Sequence, residues 1–166
     1  GVTNGIGSWE DDDNIDNSFE WVKTGAGNDT VLGGAQGVQQ KVWAGAGHDS
    51  VTAGSTPLLA FGNDGNDTLV GGAANDELYG NNGDDALNGM GSGDLLSGQA
   101  GNDVIAGSLE GDSVWGGADY DTLTYEALAL DISLNLLDAV AYDLGESGAA
   151  DELREPDVET YITGAG

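Results

Sequence analysis

Residues 62–70 read GNDGNDTLV, and the nine that follow, GGAANDELY (71–79), repeat the same phrase in other letters. Each puts Asp in the sixth place (Asp67, Asp76) and an aliphatic residue in the eighth (Leu69, Leu78). No ordinary helix or strand favours so many glycines, because glycine loses the most backbone entropy on folding. The frame extends outward without a gap from Ala44 to Thr124, through AGAGHDSVT, AGSTPLLAF, the two phrases above, GNNGDDALN, GMGSGDLLS, GQAGNDVIA, GSLEGDSVW and GGADYDTLT. Upstream stand TGAGNDTVL (24–32) and the weaker AQGVQQKVW (35–43), separated by Gly33 and Gly34. The eighth places hold Val31, Val42, Val51, Ala60, Leu69, Leu78, Leu87, Leu96, Ile105, Val114 and Leu123, all aliphatic. Asp fills the sixth place everywhere except at Gln40 and Leu58.

Thirty Asp and Glu residues face Lys23, Lys41 and Arg154, a formal net charge of −27. That balance excludes nucleic acid and anionic membrane as partners, since both reward Lys and Arg. It also makes a collapsed chain repel itself, so cations are needed to neutralise it. Without cysteine there is no disulfide frame and no thiolate metal site. His48 is the only histidine, which limits nitrogen ligation and proton shuttling. No apolar run reaches the roughly 18 residues of a spanning helix. The first residues carry no signal-peptide pattern, so export has to rest on other grounds. Low hydrophobicity with high charge is also the signature of disorder, and the sustained period makes that reading conditional on the cations.

The repeat resembles the RTX (haemolysin-type) calcium-binding nonapeptide, G-G-x-G-x-D-x-U-x, over about 100 residues. The resemblance implies an all-β fold, a right-handed parallel β-roll over residues 24–124. In such a roll six residues of each repeat make a calcium-holding turn, three make a short strand, and two repeats complete a coil. The chemistry of the residues agrees. One inward aliphatic residue in nine gives a thin core, which cannot offset about 1–2 kcal/mol of backbone entropy per ordered residue. Carboxylates and the carbonyls of glycine-rich turns are hard oxygen donors, better suited to Ca²⁺ than to the strict octahedron of Mg²⁺. Ion binding then becomes folding energy.

Alternate turns should stack on opposite edges. The first edge carries Asp29, Asp49, Asp67, Asp85, Asp103 and Asp121, and the first five of these turns have glycine in the fourth place (Gly27, Gly47, Gly65, Gly83, Gly101). In the family each ion is shared by two neighbouring turns through Asp side chains and backbone carbonyls. Carried over, this implies ligands from Gly25, Gly27 and Asp29, from Ala44, Gly45, Ala46, Gly47 and Asp49, and from Gly62, Asn63, Asp64, Gly65 and Asp67. It adds Gly80, Asn81, Asn82, Gly83 and Asp85, then Gly98, Gln99, Ala100, Gly101 and Asp103, and finally Gly116, Ala118 and Asp121. Asp119 replaces the fourth glycine of that outermost turn. The second edge is poorer. It offers Gly72, Ala74 and Asp76, then Gly89, Met90, Gly91, Ser92 and Asp94, then Gly107, Leu109 and Asp112. Ala74, Ser92 and Glu110 stand where the fourth glycine belongs, and backbone strain is expected there. The resemblance implies about five ions on the first edge and about two weaker ones on the second.

Outside the roll, residues 1–23 read as an acidic lead-in. WEDDDNID (9–16) is either a solvated loop or an extension of the first edge, with Asp13 as ligand and Ile15 as core. Residues 125–162, with Ile132, Leu134 and Leu136 alternating, read as a β-rich C-terminal cap. TGAG (163–166) reads as the start of a further repeat. FEWVKTGAG (19–27) aligns with VETYITGAG (158–166), 139 residues on, so the sequence is expected to be a segment of a longer protein. Neighbouring modules of that parent chain would then be its partners.

Trp43, Phe61, Tyr79, Ser97 and Trp115 recur 18 apart in the ninth places. A residue next to an inward eighth place points outward, so an aromatic column is expected on one face, flanked by Leu59 and Leu95. Either the strands of 127–144 cover it, or it docks a neighbouring module, another protein or a glycan. Catalysis is not expected: His48 has no Cys and no specific Ser to activate, and the carboxylates are committed to calcium. An ice-binding roll is disfavoured because the third places contain no Thr, although Asn28, Asn66, Asn75 and Asn102 fill fifth places. The reading that remains is a calcium-binding module of a bacterial protein exported by type I secretion. It would stay unfolded in a low-calcium cytosol and fold outside, at the roughly 10⁻⁴–10⁻³ M calcium that extracellular modules use. It would serve as a structural or interaction segment of an adhesin, surface protein or extracellular enzyme. The alternative is a carbohydrate-binding or substrate-positioning module of a polysaccharide-acting enzyme.

Overall fold

A nine-residue phrase with one inward aliphatic side chain can bury it only against another phrase. Successive phrases therefore stack, each coil resting on the one before. A computed structural model describes residues 20–34, 37–108 and 110–125, together with the strand segments 5–7, 14–16, 133–135, 140–142, 152–153 and 160–163. All regular structure among them is β, in two sheets.

The wide sheet runs through β1 (Gly5–Gly7), β3 (Trp21–Ala26), β5 (Gln40–Ala46), β7 (Leu58–Asp64), β9 (Glu77–Asn82), β11 (Leu95–Ala100) and β13 (Ser113–Ala118). The narrow sheet runs through β2 (Asn14–Asp16), β4 (Thr30–Leu32), β6 (Ser50–Thr52), β8 (Thr68–Val70), β10 (Ala86–Asn88), β12 (Val104–Ala106) and β14 (Thr122–Tyr125). Neighbours in these runs are parallel, and the chain alternates between the sheets, which is a β-roll. Most registers advance by one pair of repeats, as in Phe61↔Tyr79 and Leu69↔Leu87. Gly25↔Gly45 and Val31↔Val51 instead advance by two residues more, the length of the Gly33–Gly34 insertion.

The two sheets face each other across the aliphatic column. Val22, Val42, Ala60, Leu78, Leu96 and Val114 come from the wide sheet, and Val31, Val51, Leu69, Leu87, Ile105 and Leu123 from the narrow one. All are at most 1% exposed. Ile15 pairs in register with Val31, at the place expected of a core residue, while Asp13 lies outside the described residues. In the C-terminal segment β15 (Ser133–Asn135) and β16 (Val140–Tyr142) are antiparallel, and β17 (Glu152–Leu153) joins them to β13. These strands extend the wide sheet at its end, side by side with β13, and do not lie across its outer face. β18 (Thr160–Thr163) pairs with β14 in the narrow sheet. Trp21–Ala26, the segment aligned with it by sequence, stands in the wide sheet.

Candidate metal sites on the two edges

The first edge joins each wide strand to the narrow strand that follows. Its second and fourth places are both left-handed in every turn. In the second place Gly25, Gly45 and Gly117 have φ of 121°, 113° and 122°, and Asn63, Asn81 and Gln99 have 82°, 79° and 83°. In the fourth place Gly27, Gly47, Gly65, Gly83 and Gly101 lie between 112° and 141°, and Asp119 follows at 78°. Glycine is needed at the fourth place for a second reason, close approach. A Cβ on Gly65 would sit 1.7 Å from the Gly47 carbonyl oxygen, and one on Gly83 would sit 2.0 Å from that of Gly65. The fourth-place carbonyls thus stand in file, each aimed at the next turn. The fourth-place N–H groups donate to third-place carbonyls one coil on, as in Gly47 to Asp64 and Gly65 to Asn82, both at 2.8 Å. At the last turn the Gly101 bond to Ala118 lengthens to 3.3 Å.

The sixth-place Asp residues point inward beneath this file. Asp29, Asp49, Asp67, Asp85, Asp103 and Asp121 are all at most 3% exposed. Each N–H donates to Oδ1 of the Asp one coil on, at 2.7–2.9 Å from Asp29 through Asp103. Oδ2 of Asp49, Asp67, Asp85 and Asp103 is buried with no hydrogen-bond partner. In Asp67, Asp85 and Asp103 it lies against the first-place glycine of its own turn, where a Cβ on Gly62, Gly80 or Gly98 would come within 2.0–2.2 Å. Burial pushes Asp67 and Asp103 up to about 6 and Asp85 to about 7, and neighbouring Asp charges push the same way. Such a carboxylate file is stable as an anion only when a cation accompanies it.

The second edge has the same sixth-place geometry but a different fate for Oδ2. Leu58, Asp76 and Asp94 donate their N–H groups to Oδ1 of Asp76, Asp94 and Asp112. Oδ2 of Asp76 then accepts from the Gly72 N–H, and Oδ2 of Asp112 from the Ser108 N–H, both at 2.6 Å. Only Asp94 keeps a buried Oδ2 without a partner among these three, and burial followed by the charges of Asp112, Asp76 and Glu110 pushes it to about 8. The backbone differs accordingly. Met90 and Ser92 are left-handed, at 72° and 79°, as in a first-edge turn. Ala74 and Glu110 are not. The strain expected from sequence at Ala74, Ser92 and Glu110 is therefore corrected: it is confined to Ser92, because the turns at 71–76 and 107–112 close on their own Asp instead. Gln40 and Leu58, in the remaining sixth places, are fully buried and neutral, and Gln40 Oε1 accepts from the Gly34 N–H at 3.0 Å. Leu109 lies outside the described residues.

A further ladder was not anticipated from sequence. Along the first edge the fifth-place side chains accept from the next fifth-place N–H, in the order Asn28 to His48, His48 to Asn66, Asn66 to Asp84, Asp84 to Asn102 and Asn102 to Tyr120. His48 is part of this exposed scaffold, with Nδ1 as the acceptor. A signal was present, since side chains with an acceptor atom fill five successive fifth places.

Among the described residues, no three carboxylate or imidazole groups converge on one point. A cation here would take one or two carboxylate oxygens and draw the rest from backbone carbonyls. Hard oxygens in a turn of adaptable geometry fit calcium, and the partnerless Oδ2 atoms beside the glycine cradle supply the place for its charge. Together, roll and edges define a calcium-binding repeat module. The family model "RTX calcium-binding nonapeptide repeat (4 copies)" matches residues 14–36, 61–96 and 88–123, just over half of the chain, and the chain belongs to that family. Repeats of this family bind calcium and occur in secreted bacterial proteins. No curated protein and no solved structure matches the chain.

Proposed function

We propose that this chain is a calcium-triggered folding module, kept open by its own charge where calcium is scarce and closed into the roll where calcium is plentiful. The observation that carries the reading is the file of buried Asp carboxylates, each first-edge member from Asp49 to Asp103 with an Oδ2 that no group among the described residues satisfies. A bound cation removes both the charge repulsion and the unmet acceptor. About five ions between consecutive first-edge turns would serve the file from Asp29 to Asp121. The second edge contributes less than the two ions expected from sequence, because Asp76 and Asp112 already commit both oxygens to backbone N–H groups. Its one partnerless oxygen centres the remaining site on Asp94.

This mechanism suits export as an unfolded chain followed by folding outside the cell, where the module acts as a stiff structural or interaction segment of a longer protein. Far-UV circular dichroism of the EDTA-stripped chain, titrated separately with Ca²⁺ and Mg²⁺, tests it. A coil-to-β transition with calcium alone is expected. A chain already β-structured without calcium at neutral pH would end the folding-switch reading.

A further inference from the structure

The outer face of the wide sheet departs from the rest of the molecule in its charge. On the wide strands β3 to β13 the only acidic residues are Glu77 and, at the calcium-turn end of β7, Asp64, in a chain with 30 acidic residues. Two of the chain's three basic residues stand on this face, side by side with two tryptophans. Trp21 pairs in register with Lys41, and Lys23 with Trp43, so rings and ammonium groups alternate on adjacent strands about 4.8 Å apart. The four side chains line an open cleft of about 550 Å³. Both lysines are exposed, Trp21 is 42% exposed, and Trp43 is half-buried. Trp43 is held in place from the other side by a stack on Phe61, with ring centroids 6.1 Å apart and planes 9° off parallel. On the outer flank, among the described residues, β1 places Gly5 and Gly7, which carry no side chain, in register with Trp21 and Lys23.

This arrangement does not serve calcium, and it gains nothing from the carboxylate edges. Isolated lysines on a sheet would be a solvated face. Here they are the only cations of the described roll, concentrated where the flat apolar faces are. We infer that the Trp21–Lys23–Lys41–Trp43 cleft binds an acidic glycan. A sugar ring would lie on the indole faces, and its carboxylate or sulfate would meet the two ammonium groups. Stacking supplies the affinity for the ring, and the lysines supply selection for charge. The strong negative field of the roll disfavours polyanions in general. At physiological salt, charges more than about 8 Å apart are largely screened, so the local lysine pair governs what docks.

The test is isothermal titration of the calcium-loaded chain at clamped, saturating free calcium. Trigalacturonate and a sulfated galactose tetrasaccharide serve as the two acidic probes, with neutral galactose oligomers and poly-L-glutamate as controls. Binding of either acidic sugar is expected, weakened by added salt, and the tighter of the two identifies the anion. The double variant Lys23→Gln/Lys41→Gln should raise the Kd about tenfold, and Trp21→Ala by a similar factor. Lys23→Arg/Lys41→Arg should bind within about threefold of the parent. Circular dichroism of each variant at the same calcium confirms the roll, so a loss of binding cannot be a loss of folding. The inference is overturned if neutral oligomers bind as well as acidic ones, if poly-L-glutamate competes as well as the sugars, if neither acidic sugar binds, or if the Lys→Gln pair binds like the parent.

Discussion

The two edges of the roll carry the same residue in the same place and use it differently. On the first edge, Asp67 and Asp85 give one oxygen to a backbone N–H and leave the other buried and unmet. On the second edge, Asp76 and Asp112 give both oxygens to N–H groups of their own and neighbouring turns. The difference lies in the backbone. Left-handed second and fourth places hold first-edge turns open, with their carbonyls in file. Without them, Gly72 and Ser108 fold back and close the turn on its own Asp. An Asp in the sixth place is therefore not enough to leave a carboxylate for an ion, and the turn conformation decides whether it remains available to one.

The largest effects should come from attacking the first edge directly. Gly65→Ala places a methyl where the Gly47 carbonyl stands and forces a left-handed non-glycine residue, costing about 3 kcal/mol or more. Calcium should then fail to restore the full β signal in circular dichroism, even in excess. Asp85→Asn keeps an oxygen for the Asp67 N–H but removes the charge, and should raise the calcium midpoint by about tenfold or more. Asp94→Asn should raise it less, and Asp76→Asn least, because Asp76 has no oxygen to offer an ion. Equal midpoints for the Asp85, Asp94 and Asp76 variants would break the comparison between the edges.

Protons provide a second way to sharpen it. Asp94, Asp85, Asp67 and Asp103 are raised to about 8, 7, 6 and 6 in the folded roll, first by burial and then by neighbouring charges. Their unfolded value is near 3.8. The folded chain therefore binds protons that the unfolded chain releases. Above the folded values the calcium-free roll is penalised. It regains stability as pH falls through about 8 to 6, and the gain is complete below the unfolded value. Calcium-free chain should thus gain β structure between pH 8 and pH 5, followed by circular dichroism, while the calcium midpoint rises because protons and calcium compete for the same oxygens. A calcium-free chain whose β signal falls on acidification would show that these carboxylates are not buried together.

Much of this was legible in the sequence, and the reason is geometric. A sustained nine-residue period, taken with the two-repeat coil that the family resemblance implies, fixes the partner of every inward side chain, so the Val31–Val51–Leu69–Leu87–Ile105–Leu123 column and the Trp43–Phe61–Tyr79 stack follow from the two together. Phe61 and Tyr79 do stack, with centroids 5.0 Å apart. The two-residue insertion at Gly33–Gly34 could likewise be read, since it shifts a register without changing a face. The closure of the second-edge turns could not. Ala74 and Glu110 appear as missing glycines, and a missing glycine implies strain only if the backbone stays in the glycine conformation. Whether it stays depends on Ser108 and Gly72 offering N–H groups, which no periodicity reports. Nor did the lysines stand out, because Lys23 and Lys41 become neighbours only once the insertion is counted into the register.

Smaller substitutions probe the same contrast from the side of strain. Met90 is 52% exposed and left-handed at 72°, so it has little packing to lose, and Met90→Gly should stabilise the second edge by up to about 1 kcal/mol in a urea melt at saturating calcium. The mildest effect should come from His48, whose exposed ring supplies one rung of the fifth-place ladder by accepting from the Asn66 N–H at 2.9 Å. His48→Ala removes that acceptor and should cost about 0.5–1 kcal/mol in the same melt. His48→Asn should cost almost nothing, since Asn28 and Asn66 already fill this role one coil away on either side. The second edge has no such ladder to lose where Gly93 and Gly111 stand in fifth places. If His48→Ala and His48→Asn melt alike, the ladder adds nothing measurable, and the order of the first edge rests on its glycines and its carboxylate file alone.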